Sequence, residues 1–184
     1  MTKMKRIAAA CVAAQDKGEL WVMLEIVKTI KPKVIVEIGV DGGDLLMTWQ
    51  RAFSPTLLVG IDVHEVGRLK ENLSLNGLRA KMIYGDSQSE ETVEKLKKVL
   101  QGKAVDFLFI DGDHHYAACK RDYELYSPFV RKGGFIGFHD IQNRRLKDVG
   151  VSGFMHDLDH HWSYLTVDIT IGGKASPGTR LIQA

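Results

Sequence analysis

Apolar residues alternate between two periods along this chain. Leu20, Met23, Leu24 and Val27 recur at helical spacing, and Lys31-Pro32 ends that run. Val34-Ile35-Val36-Glu37-Ile38 follows, a short β-branched run before glycines that predicts a buried strand. Leu45, Leu46, Trp49 and Phe53 return to the helical period. Leu57–Ile61 then predicts a second strand, and Val66, Leu69 and Leu73 a second crossover helix. Met82-Ile83-Tyr84 is a weaker third strand, succeeded by the helical set Val93, Leu96 and Leu100. Val105–Ile110 is the strongest strand, Tyr116–Tyr126 reads as a helix, and Gly133-Gly134 introduces a fifth strand, Phe135–Phe138. Beyond it, residues 141–161 read as a loop and a short helix carrying Val151, Phe154, Met155 and Leu158. Leu165–Ile171 and Arg180–Ile182 read as strands separated by Gly172-Gly173 and Pro177-Gly178. At the front, Ile7–Ala14 predicts a start helix, so residues 1–30 form an N-terminal helical segment.

Five strand–helix alternations imply an α/β fold: a doubly wound, mainly parallel, seven-stranded sheet in a single domain spanning 1–184. Such sheets bind ligands beyond the carboxyl ends of their strands. The residues at those ends are polar and acidic: Glu37 and Gly39, Asp62, Asp86, Asp111 with Asp113 and His114, and His139 with Asp140. Loop and capping preferences explain one or two such residues but explain five successive strand ends poorly.

Composition narrows the setting. In 184 residues, 45% are hydrophobic and 26% charged, the balance of a globular protein. A net charge of +2 is too small to argue for nucleic acid, and the run Arg144, Arg145 and Lys147 reads as a solvated face. Two cysteines, Cys11 and Cys119, give no disulfide framework and suit a reducing cytoplasm. Cys119 falls among Tyr116, Tyr123 and Tyr126 and reads as a buried thiol. Lys3, Lys5 and Arg6 before Ile7–Ala14 imitate a signal peptide, but the short Ala-rich stretch reads better as a helix. No run approaches the roughly 18 apolar residues of a membrane span.

The first strand ends in Glu37-Ile38-Gly39-Val40-Asp41-Gly42-Gly43. Glycines there let the backbone turn sharply and approach a ligand. A dinucleotide fingerprint would be G-x-G-x-x-G, with a pyrophosphate on the helix N-terminus. Here the spacing is Glu-x-Gly-x-x-x-Gly, with Glu37 and Asp41 close by. Carboxylates repel a pyrophosphate and favour a sulfonium with its ammonium group, so the sign of charge favours S-adenosylmethionine over NAD. Asp62, before Val63, is placed to accept ribose hydroxyls from either cofactor. Asp86, in Gly85-Asp86-Ser87, is placed for an adenine amino group; its alternative role is capping the helix near Ser89.

Val36–Gly43 and Phe109-Ile110-Asp111-Gly112-Asp113-His114-His115-Tyr116, with Lys120-Arg121-Asp122 and Gly133–Asp140, resemble class I S-adenosylmethionine-dependent methyltransferases. The closer likeness is to the group that includes cephalosporin-hydroxylase-like, rhamnosyl and macrolide-sugar O-methyltransferases, and it covers roughly residues 20–145. The resemblance implies O-methylation of a small-molecule or sugar hydroxyl. It also implies a metal at Asp111 and the pair His139-Asp140, and His114 as general base beside Asp111. His139 departs from the pattern, because Mg²⁺-binding relatives carry an acidic residue there. A softer ion such as Mn²⁺, a place for His139 behind the ligands, or no metal at all would each account for it. His115, His156, His160 and His161 are assigned no ligand role. Acceptor selectivity is expected from residues 1–19, from 141–161 as an acceptor-side insertion, and from Gly172–Gly178. A second copy of the chain would cover an open acceptor site.

Three rival readings follow from the same residues. A metal-dependent hydrolase would use Asp111, His114, His139 and Asp140. An NAD-dependent oxidoreductase would use the glycine loop and Asp62. A binding module would hold the cofactor without turnover.

Overall fold

A computed structural model describes residues 1–13, 15–65, 67–142, 150–161, 165–170 and 178–184, with the backbone alone at 160 and 161. The N-terminal helices are α1 (Lys3–Ala10) and α2 (Lys17–Val27). Alternation follows through β1 (Val34–Ile38), α3 (Asp44–Phe53), β2 (Leu57–Asp62), α4 (Gly67–Ser74), β3 (Lys81–Tyr84), α5 (Glu90–Leu100), β4 (Val105–Ile110), α6 (Tyr116–Tyr126) and β5 (Val130–His139). Then come α7 (Val151–His161), β6 (Thr166–Ile169) and β7 (Thr179–Gln183).

The seven strands lie in the order β3-β2-β1-β4-β5-β7-β6. β1 pairs in parallel with both β2 and β4, and only β7 runs antiparallel to its neighbours β5 and β6. The order reverses between β1 and β4, which opens a crevice at their carboxyl ends. All five residues of β1 are buried because helices cover both sheet faces. Its side chains alternate as a period of two requires. Val34, Val36 and Ile38 pack with Leu96, Tyr126 and Phe154, whereas Ile35 packs with Leu24, Leu46 and Trp49.

Two expectations need correction. The start helix ends at Ala10 rather than Ala14: Cys11 is extended (φ −67°, ψ 138°), and its buried thiol sits 4.0 Å from the Asp44 carbonyl. That turn carries Ala13 and Gln15 over the strand ends. The fifth strand begins at Val130, so Gly133-Gly134 lies inside it. The register of β4 against β5 shifts between Val105 and Phe107 opposite these glycines. Gly133 adopts φ +76°, and a Cβ on Gly134 would meet the Asp106 carbonyl at 2.8 Å, so the pair serves a bulge.

Val66, Arg144, Arg145, Lys147, Gly172, Gly173 and Pro177 lie outside the described residues, as does part of the 141–161 segment. No described helix is long and apolar enough to cross a membrane.

Candidate active site

The crevice is built from loops that lean on one another. Gly39 has φ +81°, and a Cβ there would stand 2.1 Å from the Asp111 carbonyl. Only glycine lets the β1 loop touch the β4 loop this closely. Asp62 holds the same loop: its Oδ2 accepts the backbone N–H groups of Val40 at 2.8 Å and Asp41 at 3.0 Å. That oxygen is thereby filled, which leaves Oδ1, in weak contact with the His64 N–H at 3.4 Å, for a ligand hydroxyl.

These loops enclose a cavity of about 610 Å³. Of the residues expected at a cofactor, Glu37, Gly39, Val40, Asp41, Asp62, Val63, Gly85, Asp86, Ser87 and Asp111 line it. Gly43 does not; with φ +77° it opens α3 under Leu69, whose Cδ1 would be 2.8 Å from an added Cβ. Seven acidic residues line the cavity: Glu37, Asp41, Asp44, Asp62, Asp86, Asp111 and Asp113. No Lys, Arg or His is among the described lining residues.

Glu37 lies at the buried end of β1. It is 1% exposed, and the Trp49 indole N–H donates to its Oε2 at 2.6 Å. Its Oε1 is buried with no hydrogen-bond partner. Burial pushes its pKa well up, the Trp49 hydrogen bond opposes this in part, and the negative charges of Asp111 and Asp62 add to the rise. Burial therefore favours its neutral form, and a nearby cation would favour the carboxylate.

On the other side of the cavity, Asp86 accepts the Gln88 N–H at 2.9 Å, and Ser89 caps α5 by accepting from the Thr92 N–H. The capping role belongs to Ser89, which leaves Asp86 as a turn residue facing the cavity. Beneath this loop Tyr126 donates its hydroxyl to the Ser87 carbonyl at 2.8 Å. The neighbouring Asp122 is fully buried; burial, only partly offset by the Ser87 side chain, pushes its pKa up to about 6.

At the shared edge of β4 and β5, two carboxylates and two imidazoles meet. His114 Nε2 lies 3.3 Å from Asp111 Oδ1, and its Nδ1 lies 3.2 Å from Asp140 Oδ2. His139 Nδ1 is 3.2 Å from Asp111 Oδ1 and 3.7 Å from Asp140 Oδ2. Its Nε2 is buried and unpartnered among the described residues. Asp140 reaches the cluster through a left-handed backbone (φ 58°), a conformation Asp tolerates better than most residues.

The charges support one another. The hydrogen bond to Asp111 raises the His114 pKa, against burial, and the nearby Asp140 charge adds to it. For His139 burial pulls downward, but the Asp111 contact and the charges of Asp111, Asp140 and Glu19 carry it above its ordinary value. Burial would raise Asp111; hydrogen bonds from His114 and His139 outweigh it and hold the carboxyl below the ordinary range. Asp111, His139 and Asp140 each offer one ligand atom within 4.8 Å of the others, the trio the sequence proposed for a metal. His115 turns away to pair with Asp113, and His156 belongs to the exposed face of α7. The side chains of His160 and His161 lie outside the described residues.

Gln15 was not foreseen. It is 7% exposed and lines the cavity, and its Nε2 donates to Asp111 Oδ2 at 2.7 Å. No sequence signal marks a contact that spans 96 positions.

A switch-point crevice with an acidic cavity, joined to a carboxylate–imidazole cluster, sits on a Rossmann-like fold. A methyltransferase-domain family model matches residues 36–141, more than half of the chain, and the chain belongs to that family. An uncharacterised protein of Acanthamoeba polyphaga mimivirus is 34% identical over 122 residues, covering 60% of this chain. The chain spans about half (52%) of that relative's length.

Solved structures share the fold at low identity. A Staphylococcus aureus protein assigned as a caffeoyl-CoA O-methyltransferase superposes with TM-score 0.76 at 18% identity, covering 100% of this chain and 93% of that one. TomG, an O-methyltransferase of tomaymycin synthesis from Streptomyces achromogenes, was solved with S-adenosylmethionine; it gives 0.72 at 17% identity over 100% and 90%. MycE, from the mycinamycin pathway, was solved with Mg, S-adenosylhomocysteine and mycinamycin VI; it gives 0.70 at 16% identity over 99% of this chain and 54% of its own.

Proposed function

We propose that the chain is an S-adenosylmethionine-dependent O-methyltransferase acting on a hydroxyl of a small molecule or sugar. The observation that carries this reading is the cavity's charge: seven carboxyl-bearing residues and no cationic side chain among the described lining residues. Such a lining repels the pyrophosphate of NAD or a phosphodiester and favours a sulfonium with an ammonium group. The volume suits a nucleoside-sized ligand. TomG and MycE, which share the fold, were crystallised with S-adenosylmethionine and S-adenosylhomocysteine respectively, which supports the same choice.

S-adenosylmethionine supplies an electrophilic methyl group when bound. Asp62 Oδ1 would accept from its ribose, exposed Val63 would offer an apolar contact to its adenine, and Asp86 would accept from the adenine amino group. Gly39 and Val40 bring backbone close to the ligand. Methyl transfer needs in-line geometry, so the rigid loop contact between Gly39 and Asp111 matters as much as any charge. His114 removes the proton of the acceptor hydroxyl. It acts in its neutral form, with one ring nitrogen keeping a proton toward Asp111 or Asp140 and the other free to accept.

Two carboxylates and an imidazole fit a divalent transition ion such as Mn²⁺ better than Mg²⁺, which prefers an all-oxygen shell. Asp111, His139 and Asp140 would hold it, and it would supply Lewis acidity toward the acceptor hydroxyl.

Transfer of labelled methyl from S-adenosylmethionine onto members of a hydroxyl-bearing library tests the reading. Turnover that needs the cofactor supports it. Binding without turnover on any hydroxyl would leave a cofactor-binding module, and phosphodiester hydrolysis without the cofactor would favour the hydrolase.

A further inference from the structure

The connector between α1 and α2 lies over the cavity and is firmly held at both sides. Cys11 is buried against the start of α3, and Asp16 caps α2 by accepting the N–H groups of Gly18 at 2.8 Å and Glu19 at 3.1 Å. Gln15, adjacent to that cap, is therefore fixed in place. A carboxylate only accepts hydrogen bonds, so the NH₂ end of Gln15 must face Asp111, as its 2.7 Å contact shows. The carbonyl end, Oε1, is left buried with no partner. Glu37, another residue of the cavity lining, also has a buried oxygen without a partner, Oε1. An orphaned amide carbonyl is costly in an empty protein and calls for a ligand that donates. A sulfonium has no N–H to give. An ammonium has three.

We propose that Gln15 belongs to the cofactor site, its side-chain carbonyl receiving the α-ammonium group of S-adenosylmethionine while its NH₂ group holds Asp111. Glu37 Oε1 faces the same ammonium. Gln15 thus ties the amino-acid end of the cofactor to the carboxylate that orients His114 and His139. The inference rests on the methyltransferase reading above.

Calorimetry with three ligands tests it: S-adenosylhomocysteine, its analogue without the α-amino group, and 5′-methylthioadenosine, which lacks the amino-acid end. Gln15→Leu is expected to weaken S-adenosylhomocysteine about tenfold or more, in line with a hydrogen bond to a charged group. It should leave methylthioadenosine unchanged, which also shows that the variant is folded. The loss on removing the amino group should be smaller in Gln15→Leu than in the wild type. Unchanged S-adenosylhomocysteine affinity, or equal weakening of both ligands, overturns the proposal. If Gln15→Leu does not fold, the wild type decides: equal affinity for S-adenosylhomocysteine and its desamino analogue overturns it. Wild-type protein that gives no heat with S-adenosylhomocysteine would instead remove the methyltransferase reading itself, and this inference with it.

Discussion

The Trp49 indole donates its only N–H to Glu37 at 2.6 Å, where neither residue reaches solvent. Trp49→Phe keeps the ring packing against Phe107 and Phe109 but leaves the Glu37 carboxyl without that donor. The expected cost is about 1–3 kcal/mol in urea unfolding. A loss within error would mean that the hydrogen bond contributes nothing net.

The same acid should release a proton when a cation enters. Burial favours the neutral form of Glu37 in the free protein and holds its pKa well above the ordinary value. A ligand ammonium favours the ionised form and lowers that pKa. S-adenosylhomocysteine binding near neutral pH is therefore expected to release protons, read as a dependence of binding heat on buffer ionisation enthalpy. Glu37→Gln should abolish the release. Proton uptake on binding would contradict this account of Glu37.

Asp122 gives a stability signature. Its carboxyl is pushed up to about 6 from an ordinary value of 3.8, mainly by burial. At low pH it is protonated in both folded and unfolded chains and costs nothing. As pH rises from about 4 to about 6 the unfolded chain ionises first, so the native state loses stability; above that the loss is constant. Asp122→Asn should gain on the wild type across that window, by an amount on the order of 2 kcal/mol at pH 8. Urea unfolding at several pH values measures it, and a difference that does not vary with pH would show that Asp122 titrates normally.

His139 decides the metal. Wild-type protein is expected to bind Mn²⁺ more tightly than Mg²⁺, followed by electron paramagnetic resonance and competition. His139→Glu should shift that preference toward Mg²⁺ by supplying oxygen in place of nitrogen. Equal behaviour of variant and wild type would place His139 outside the ligand set.

Much of this arrangement was legible in the chain. Val34–Ile38, Val105–Ile110 and Tyr116–Tyr126 match their elements because each is strongly periodic and sharply bounded. Four strand ends drew the cavity and the fifth the neighbouring His139-Asp140 pair, because a parallel sheet gathers them at one edge. Gly133-Gly134 misled because glycine marks a bulge as readily as a boundary. The partner of Glu37 was hidden because nothing local shows Trp49 donating to it across the β1–α3 turn. Gln15 was hidden because its contact with Asp111 exists only once α1 and α2 have packed over the sheet.

His114 separates chemistry from binding. His114→Gln is expected to lower kcat about 10²–10⁴-fold while S-adenosylhomocysteine affinity stays unchanged, since His114 lies outside the cavity lining. Unchanged kcat would assign the base elsewhere.

The most direct test is titration of the folded protein with S-adenosylhomocysteine, beside NADH and the variant Asp62→Ala. The account predicts micromolar binding of S-adenosylhomocysteine and no binding of NADH. It predicts near-complete loss in Asp62→Ala, which both frees the Val40–Asp41 loop and removes the oxygen left for the ribose. Folded protein that gives no heat with S-adenosylhomocysteine or S-adenosylmethionine, or that binds NADH instead, would contradict it.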